Sequence, residues 1–267
     1  QVQSRARPMS GRRLSGKKIS AKMREEMKLE AEVLRKEHGL VPGLAVVLVG
    51  DDPASVSYVE SKRQACADVG LHSVERRLDA DVSTETVLRV VAELNADENI
   101  HGILVQLPLP AQDEQQVLSA VQPNKDVDGL HPVNLGRLMR EERGFLPCTP
   151  FGIQQMLVRA DVPVEGKHVV VVGRSTLVGR PVANILLQKK PGANATVTMC
   201  HTGTVNLSSF TRQADVLIVA AGRPNTITAD MVKDGAVVID VGVNKIDAPD
   251  RERGWRLVGD VAYDEVR

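Results

Sequence analysis

The stretch from residue 166 to 187, GKHVVVVGRSTLVGRPVANILL, constrains the fold more than any other part of the chain. Residues 169–172 are a continuous β-branched run, the composition of a strand buried on both faces. A glycine-punctuated turn follows at 173–179, then a helical pattern from Pro181 to Leu187. Strand, turn and helix in this order make the first unit of a dinucleotide-binding half-domain. There, backbone N–H groups and the positive helix end can hold a pyrophosphate. The spacing departs from G-x-G-x-x-G. Ser175 and Val178 stand where the second and third glycines would be, and Gly179 comes one residue later. On spacing alone, a plain glycine-rich βα turn fits the same residues.

Upstream, apolar runs alternate with helical periodicity. Residues 19–38 predict an amphipathic helix with Ser20 as N-cap and Gly39 as stop. Strands are predicted at 44–49, 71–78 and 100–105, and helices at 54–69, 83–95 (capped by Ser83) and 112–121. The third strand exits through Gln106-Leu107-Pro108-Leu109-Pro110, which cannot continue a ladder. Residues 123–132 read as a polar, turn-rich loop. A break at 145–152, FLPCTPFG, precedes a helix at 153–159. Beyond the nucleotide unit, strands at 196–200, 216–220 and 236–241 each end in a polar or glycine turn: His201-Thr202-Gly203, Gly222-Arg223-Pro224 and Gly242-Val243-Asn244.

The alternation predicts an α/β protein of two lobes. An N-terminal α/β lobe spans 10–148 and a C-terminal Rossmann-like NAD(P)-binding lobe spans 149–267, with a cleft between them. Ligands bind outside the carboxyl ends of such strands. The three turns and residues 173–175 are therefore expected to line one crevice. Residues 1–9, basic and free of acid, read as a disordered tail, either a transit-peptide remnant or extraneous sequence before Met9.

Composition removes several function classes. Aromatic residues are 2% of the chain, too few for base-stacking platforms on single-stranded nucleic acid. Lys plus Arg and Asp plus Glu both number 34, so no net charge favours DNA or an anionic membrane. No apolar stretch is long enough to span a bilayer. Cys66, Cys148 and Cys200 lie far apart and form no C-x-x-C pair; their odd, sparse count suits a reducing compartment. A cytoplasmic setting is expected, and the basic N-terminus leaves a mitochondrial one open.

Tyr58 and Lys62 are four apart on a predicted helix and share a face. Such a pair can place a substrate hydrogen bond beside an ammonium whose pKa burial lowers toward neutrality. A solvated lysine beside a half-buried tyrosine satisfies the same spacing. Gln106, at the end of a buried strand, can bond a lysine or cap local backbone. Asp126 and Asp128, in NKDVDGLHP, could pair as carboxylates or metal ligands, but the stretch lacks the further acids of a calcium loop. Asp126 fits a turn role, and Asp128 beside Gly129 is a candidate for holding a polar ring. His131 and His201 lack a second ligand at chelating spacing, and local hydrogen bonding fits both. No metal site is expected.

Several segments then stand in one order: YVESKRQACADVGL, GILVQLPLP, NKDVDGLHPVNLGRL, PCTPFGIQQML, GKHVVVVGRSTLVGRPVANILL, AAGRPN and VVIDVGVN. Together they resemble the bifunctional methylenetetrahydrofolate dehydrogenase/methenyltetrahydrofolate cyclohydrolase family, from about residue 14 to 260. The resemblance implies oxidation of 5,10-methylene-tetrahydrofolate by a nicotinamide cofactor, then hydrolysis of the methenyl product to 10-formyl-tetrahydrofolate. It implies that Lys62 is central to the cyclohydrolase step, that Tyr58 packs along the folate, that Gln106 bonds and tunes the lysine, and that Asp128 holds the pterin ring. It places the nucleotide contacts on Gly173, Arg174, Ser175, Thr202 and Val243, and implies a homodimer formed through the nucleotide lobes. A dehydrogenase with little cyclohydrolase activity, or a non-catalytic nucleotide- or folate-binding protein, would be the alternatives.

NADP is the expected cofactor. NAD is usually held by a carboxylate at the end of the second strand of the nucleotide unit. That end reads Cys200-His201-Thr202, with no acid, while Arg174 and the hydroxyls of Ser175 and Thr202 can receive a 2′-phosphate. One departure stands out. The family continues after its GDV segment into P-G-G-V-G-P-M-T, which helps close the folate site, whereas here Gly259-Asp260-Val261 is followed only by residues to Arg267. Either the sequence is trimmed, or part of the folate wall is missing and folate binding is weaker.

Overall fold

The computed structural model describes residues 11–251 and 253–267. They form two compact units, one of residues 16–148 and one of residues 149–267 together with 11–15. The expected tail at 1–9 lies outside the described residues.

The first unit contains α1 (Gly16–His38), β1 (Gly43–Val49), α2 (Pro53–Val69), β2 (His72–Leu78), α3 (Thr84–Ala96), β3 (Gly102–Val105), α4 (Glu114–Ala120) and α5 (Pro132–Met139). Its three-stranded sheet has the order β2-β1-β3, and both pairings are parallel. β1 is apolar throughout because both its faces are covered. Ala45, Val47 and Val49 pack with Val87, Val91 and Leu94 of α3 and Val117 of α4. The alternate residues Val46 and Leu48 pack with Val59 of α2. β1 lies between its two successors in sequence, so the chain reverses its direction of travel across the sheet at the β1/β3 boundary.

Local chemistry sets the ends of α2. The Asp52 carboxylate accepts from Ser55 N at 2.9 Å, and Pro53 opens the helix where no N–H is needed. Gly70, at φ 80°, ends it in the left-handed region. α1 differs from expectation. It begins at Gly16, so Ser20 is inside the helix, and its hydroxyl donates back to the Lys17 carbonyl at 3.2 Å. Pro132 does not close the predicted loop but opens α5, where its missing N–H costs no bond. His131 caps that helix. Its Nδ1 accepts from Val133 N at 3.0 Å, which leaves the Nε2 proton for the Ser119 carbonyl at 3.1 Å.

The helix α6 (Cys148–Arg159) has its first residue in the first unit and the rest in the second, which also contains β4 (His168–Val172), α7 (Gly179–Leu187), β5 (Thr196–Cys200), α8 (Leu207–Thr211), β6 (Val216–Val219), a 3-10 turn (Ala229–Met231), β7 (Val237–Asp240), β8 (Asn244–Asp247), β9 (Trp255–Val258) and α9 (Tyr263–Val266). Its four parallel strands run in the order β5-β4-β6-β7, and β8 and β9 form an antiparallel hairpin. The sheet core repeats the logic of the first unit. Val169 and Val171 pack with Val182 and Leu186 of α7, and Val170 and Val172 pack with Leu217, Val219 and Ile227. The reversal point falls between β4 and β6. α6 starts at Cys148, ahead of the residue 153 expected from the sequence, because Pro150 sits in the first turn and breaks nothing there. Among the described residues, no helix is long and apolar enough to cross a membrane.

Candidate functional site

The first cluster forms where the three-stranded sheet reverses. Gln106 directly follows β3, and its N–H donates to the Val47 carbonyl at 2.9 Å, extending the ladder by one bond. Its side-chain amide nitrogen donates to the Leu107 carbonyl at 2.8 Å. That bond aims Oε1 the other way, where it accepts from Lys62 Nζ at 2.7 Å. Lys62 is partly buried on α2. Tyr58, one turn earlier, is 51% exposed.

Asp126 and Asp128 take different roles. Asp126 is buried and turned into its own loop, accepting from His131 N at 2.9 Å, Leu130 N at 3.3 Å and Asn134 Nδ2 at 2.8 Å. The ammonium of Lys125 anchors the same loop to the end of α3 through the carbonyls of Asn95 and Asp97, each at 2.8 Å. Asp128 is left to face Lys62. Gly129, at φ 67°, lets this loop run against residues 146–147, where a Cβ would collide with the Leu146 backbone. That approach brings up Cys148, whose thiol donates to the Val127 carbonyl at 3.2 Å. The sequence placed Cys148 in a helix-breaking seam and gave it no role. The only available signal was its position beside Pro147.

The electrostatics follow from this grouping. Burial pulls the Lys62 ammonium below the usual lysine range, against the opposing pull of Asp128 and Cys148. Burial pushes the Asp128 carboxyl up, against the Cys148 hydrogen bond and the Lys62 charge. Burial and the Asp128 carboxylate push the Cys148 thiol up to about 12, although part of the residue stays open to solvent. A neutral amide is the acceptor that suits such a lysine. It orients the nitrogen without adding a charge that would hold the proton on it.

The second cluster lies on the carboxyl edge of the four-stranded sheet. Gly173, at φ 129°, ends β4, and a Cβ there would collide with the Ala220 carbonyl at the end of β6. A Cβ on Gly179 would collide with the Gly173 carbonyl. The late glycine therefore does the work of the third glycine in the fingerprint, close packing of helix on turn. The Ser175 hydroxyl oxygen, in the turn ahead of α7, accepts from Val178 N at 3.1 Å and Gly179 N at 3.4 Å, which leaves its own proton to donate. Arg174 is exposed and forms no hydrogen bond or ion pair with a described residue. Thr202 is exposed in a turn closed by Gly203 N donating to His201 Nδ1 at 3.0 Å and by His201 N donating to Thr204 Oγ1 at 2.9 Å. Val243, after β7, is 62% exposed. No acid stands at the end of β5. The edge thus presents a close-approach turn, a free guanidinium and hydroxyl donors, which suits a dinucleotide carrying a 2′-phosphate.

Residues 14–128 match the family model described as tetrahydrofolate dehydrogenase/cyclohydrolase, catalytic domain, and residues 147–267 match its NAD(P)-binding domain. The chain belongs to the tetrahydrofolate dehydrogenase/cyclohydrolase family. Its family relatives include the bifunctional protein FolD of Dehalococcoides mccartyi (strain CBDB1), 56% identical over 261 residues, which cover 97% of this chain and 88% of the relative. Among solved structures of this family, FolD methylenetetrahydrofolate dehydrogenase/cyclohydrolase from Campylobacter jejuni matches with a TM-score of 0.88 at 45% identity, covering 95% of this chain and 86% of that one. The N5,N10-methylenetetrahydrofolate dehydrogenase-cyclohydrolase (FolD) of Trypanosoma brucei, complexed with NADP cofactor and inhibitor, matches with a TM-score of 0.88 at 37% identity, covering 94% and 86%.

Proposed function

We propose that this chain oxidises 5,10-methylene-tetrahydrofolate to 5,10-methenyl-tetrahydrofolate with NADP, and hydrolyses the methenyl compound to 10-formyl-tetrahydrofolate. Membership of the family and the bifunctional relatives support both activities. The observation that carries the assignment of chemistry to residues is the Lys62–Gln106 hydrogen bond at the end of β3, with Asp128 facing the same lysine.

NADP, when bound, supplies the hydride acceptor. The chain's part in that step is alignment. Gly173 admits the dinucleotide backbone to the sheet edge, Arg174 with the Ser175 and Thr202 hydroxyls would hold its phosphates, and Val243 would line the edge beyond β7.

The cyclohydrolase step needs proton movement, and Lys62 fits it. Its burial raises the share of neutral amine near neutral pH. The amine takes a proton from the water that adds to the methenyl carbon. The resulting ammonium gives a proton to N5 as the carbon–N5 bond breaks, and the hydroxyl proton leaves as the formyl C=O forms. Water is consumed and one proton is released overall. Gln106 Oε1 holds the lysine nitrogen in place through both transfers. Asp128 would bond the pterin ring, and Tyr58 would pack along the folate.

We assign the folate chemistry to residues 10–148 and nucleotide binding to 149–267. The family resemblance supports a homodimer through the nucleotide-binding units, which light scattering would check. The three free thiols support a reducing, cytoplasmic setting.

The test mixes methylene-tetrahydrofolate with the protein and either NADP or NAD, following methenyl absorbance and reduced nucleotide. Product forming fastest with NADP, then decaying to the formyl compound, is the expected result. A folded sample giving no product with either nucleotide would overturn the proposal.

A further inference from the structure

Two carboxylates stitch together the turns on the carboxyl edge of the four-stranded sheet. Asp260 is fully buried. Its Oδ2 accepts from Ala221 N at 2.7 Å and Gly222 N at 2.9 Å, both in the turn after β6. Its Oδ1 accepts from Asn244 Nδ2 at 2.8 Å, just beyond the turn after β7. Asp240, the last residue of β7, completes the lattice. Its Oδ1 accepts from Gly242 N at 3.0 Å and Asp260 N at 2.9 Å, and its Oδ2 accepts from Val261 N at 3.1 Å. The fit is tight enough to demand glycines. A Cβ on Gly242 would collide with the Asp260 carboxylate, and one on Gly259 with the Asp240 carboxylate.

This lattice does not fill the apolar core. It fixes the relative placement of segments 221–222, 242–244 and 259–262. In a doubly wound sheet the adenosine ribose lies at the end of the second strand, here β5. Turns after β6 and β7 lie across the reversal point from β5 and so face the other half of the dinucleotide. Val243 sits between two residues of the lattice, Gly242 and Asn244.

We propose that Asp260 is a positioning residue for the nicotinamide half of the bound dinucleotide, locking the Ala221-Gly222 turn to the Gly242–Asn244 turn. This rests on the NADP-dependent activity proposed above. Asp260→Asn replaces one acceptor oxygen by an NH2 group aimed at N–H donors, so one side of the clamp opens. Asn244→Ala removes a single donor and is the milder variant.

The decisive comparison uses two probes of different length. NADP spans both halves of the site, whereas adenosine 2′,5′-bisphosphate occupies only the adenosine half. Asp260→Asn should weaken NADP, as KM or Kd, by about 10-fold or more, and Asn244→Ala by about 3-fold. Both should leave adenosine 2′,5′-bisphosphate affinity and the NADP-independent hydrolysis of methenyl-tetrahydrofolate within about 2-fold of the parent. Equal weakening of both nucleotides would overturn the proposal, since it would mean general loosening of the unit. Unchanged NADP binding in both variants would overturn it as well. If Asp260→Asn fails to fold, Asn244→Ala decides alone by the same split. A parent protein that binds neither nucleotide would instead refute the NADP assignment itself.

Discussion

Lys62 Nζ and Gln106 Oε1 lie 2.7 Å apart, joined across 44 residues of sequence by the geometry of one sheet edge. The Gln106 amide is not free to turn, because its nitrogen is already committed to the Leu107 carbonyl. The lysine is thereby held by a neutral oxygen while its surroundings lower its pKa.

Replacing that oxygen separates orientation from charge. Gln106→Leu removes the acceptor and should lower the cyclohydrolase rate about 10- to 100-fold, the range for one hydrogen bond to a charged group. Gln106→Glu keeps an acceptor but adds a negative charge, which raises the Lys62 pKa. The rate at neutral pH should fall, and the rising limb of the pH–rate profile should move to higher pH. A Gln106→Glu limb that moved to lower pH would contradict the neutral-amine mechanism. Decay of methenyl absorbance across a pH series reads both variants.

The same lysine should cost stability. Its pKa is lower in the folded chain than in the unfolded chain. Between those two values the unfolded chain binds more protons, so stability rises with pH through that window. Below it, the burial penalty is fully present. Lys62→Met should therefore abolish cyclohydrolase activity yet melt at or above the parent's Tm at pH 7. Its advantage should shrink as pH rises toward the ordinary lysine range. Thermal melts of both proteins at pH 7 and near pH 10 test this, and a Met variant much less stable at pH 7 would contradict it.

Cys148 reports on Asp128. The thiol is pushed up to about 12 by burial and by the neighbouring carboxylate, so little thiolate exists at pH 8. Asp128→Asn removes the carboxylate's share of that effect. Alkylation of Cys148 by iodoacetamide at pH 8, located by peptide mass, should then run faster than in the parent. Cys66 and Cys200 are buried and should remain slow in both. An unchanged Cys148 rate would mean that Asp128 does not act on the thiol.

Residue pattern alone revealed what is local. The β-branched runs of β1 and β4 announce strands covered on both faces, and the i, i+4 pair Tyr58 and Lys62 needs only a helix to share a face. Gln106 was readable because a proline soon after a buried strand marks its exit. What escaped the sequence depends on tertiary approach. Cys148 reaches Val127 only because Gly129 lets the loop pass close to residues 146–147. Asp240 and Asp260 meet because the β8–β9 hairpin returns the chain to the end of β7, and NKID and WRLV carry no strong strand or turn signal. Proline misled twice for one reason. Pro132 and Pro150 read as breaks, yet both sit in first helical turns, where proline is tolerated.

Arg174 offers the sharpest test of nucleotide choice. It stands exposed in the turn after β4, with no described partner to neutralise it, and the end of β5 carries no acid to receive a ribose 2′-OH. A guanidinium bonded to a 2′-phosphate makes a charge-assisted pair that NAD cannot form. Arg174→Ala should therefore raise the KM for NADP about 10- to 100-fold and leave that for NAD nearly unchanged, narrowing the preference between them. The loss should shrink as salt rises, because an exposed ion pair is screened. Initial rates with both nucleotides, at low and high ionic strength, give the answer. If KM rises equally for NADP and NAD, Arg174 acts on the shared pyrophosphate, and the 2′-phosphate contact must come from the Ser175 or Thr202 hydroxyl.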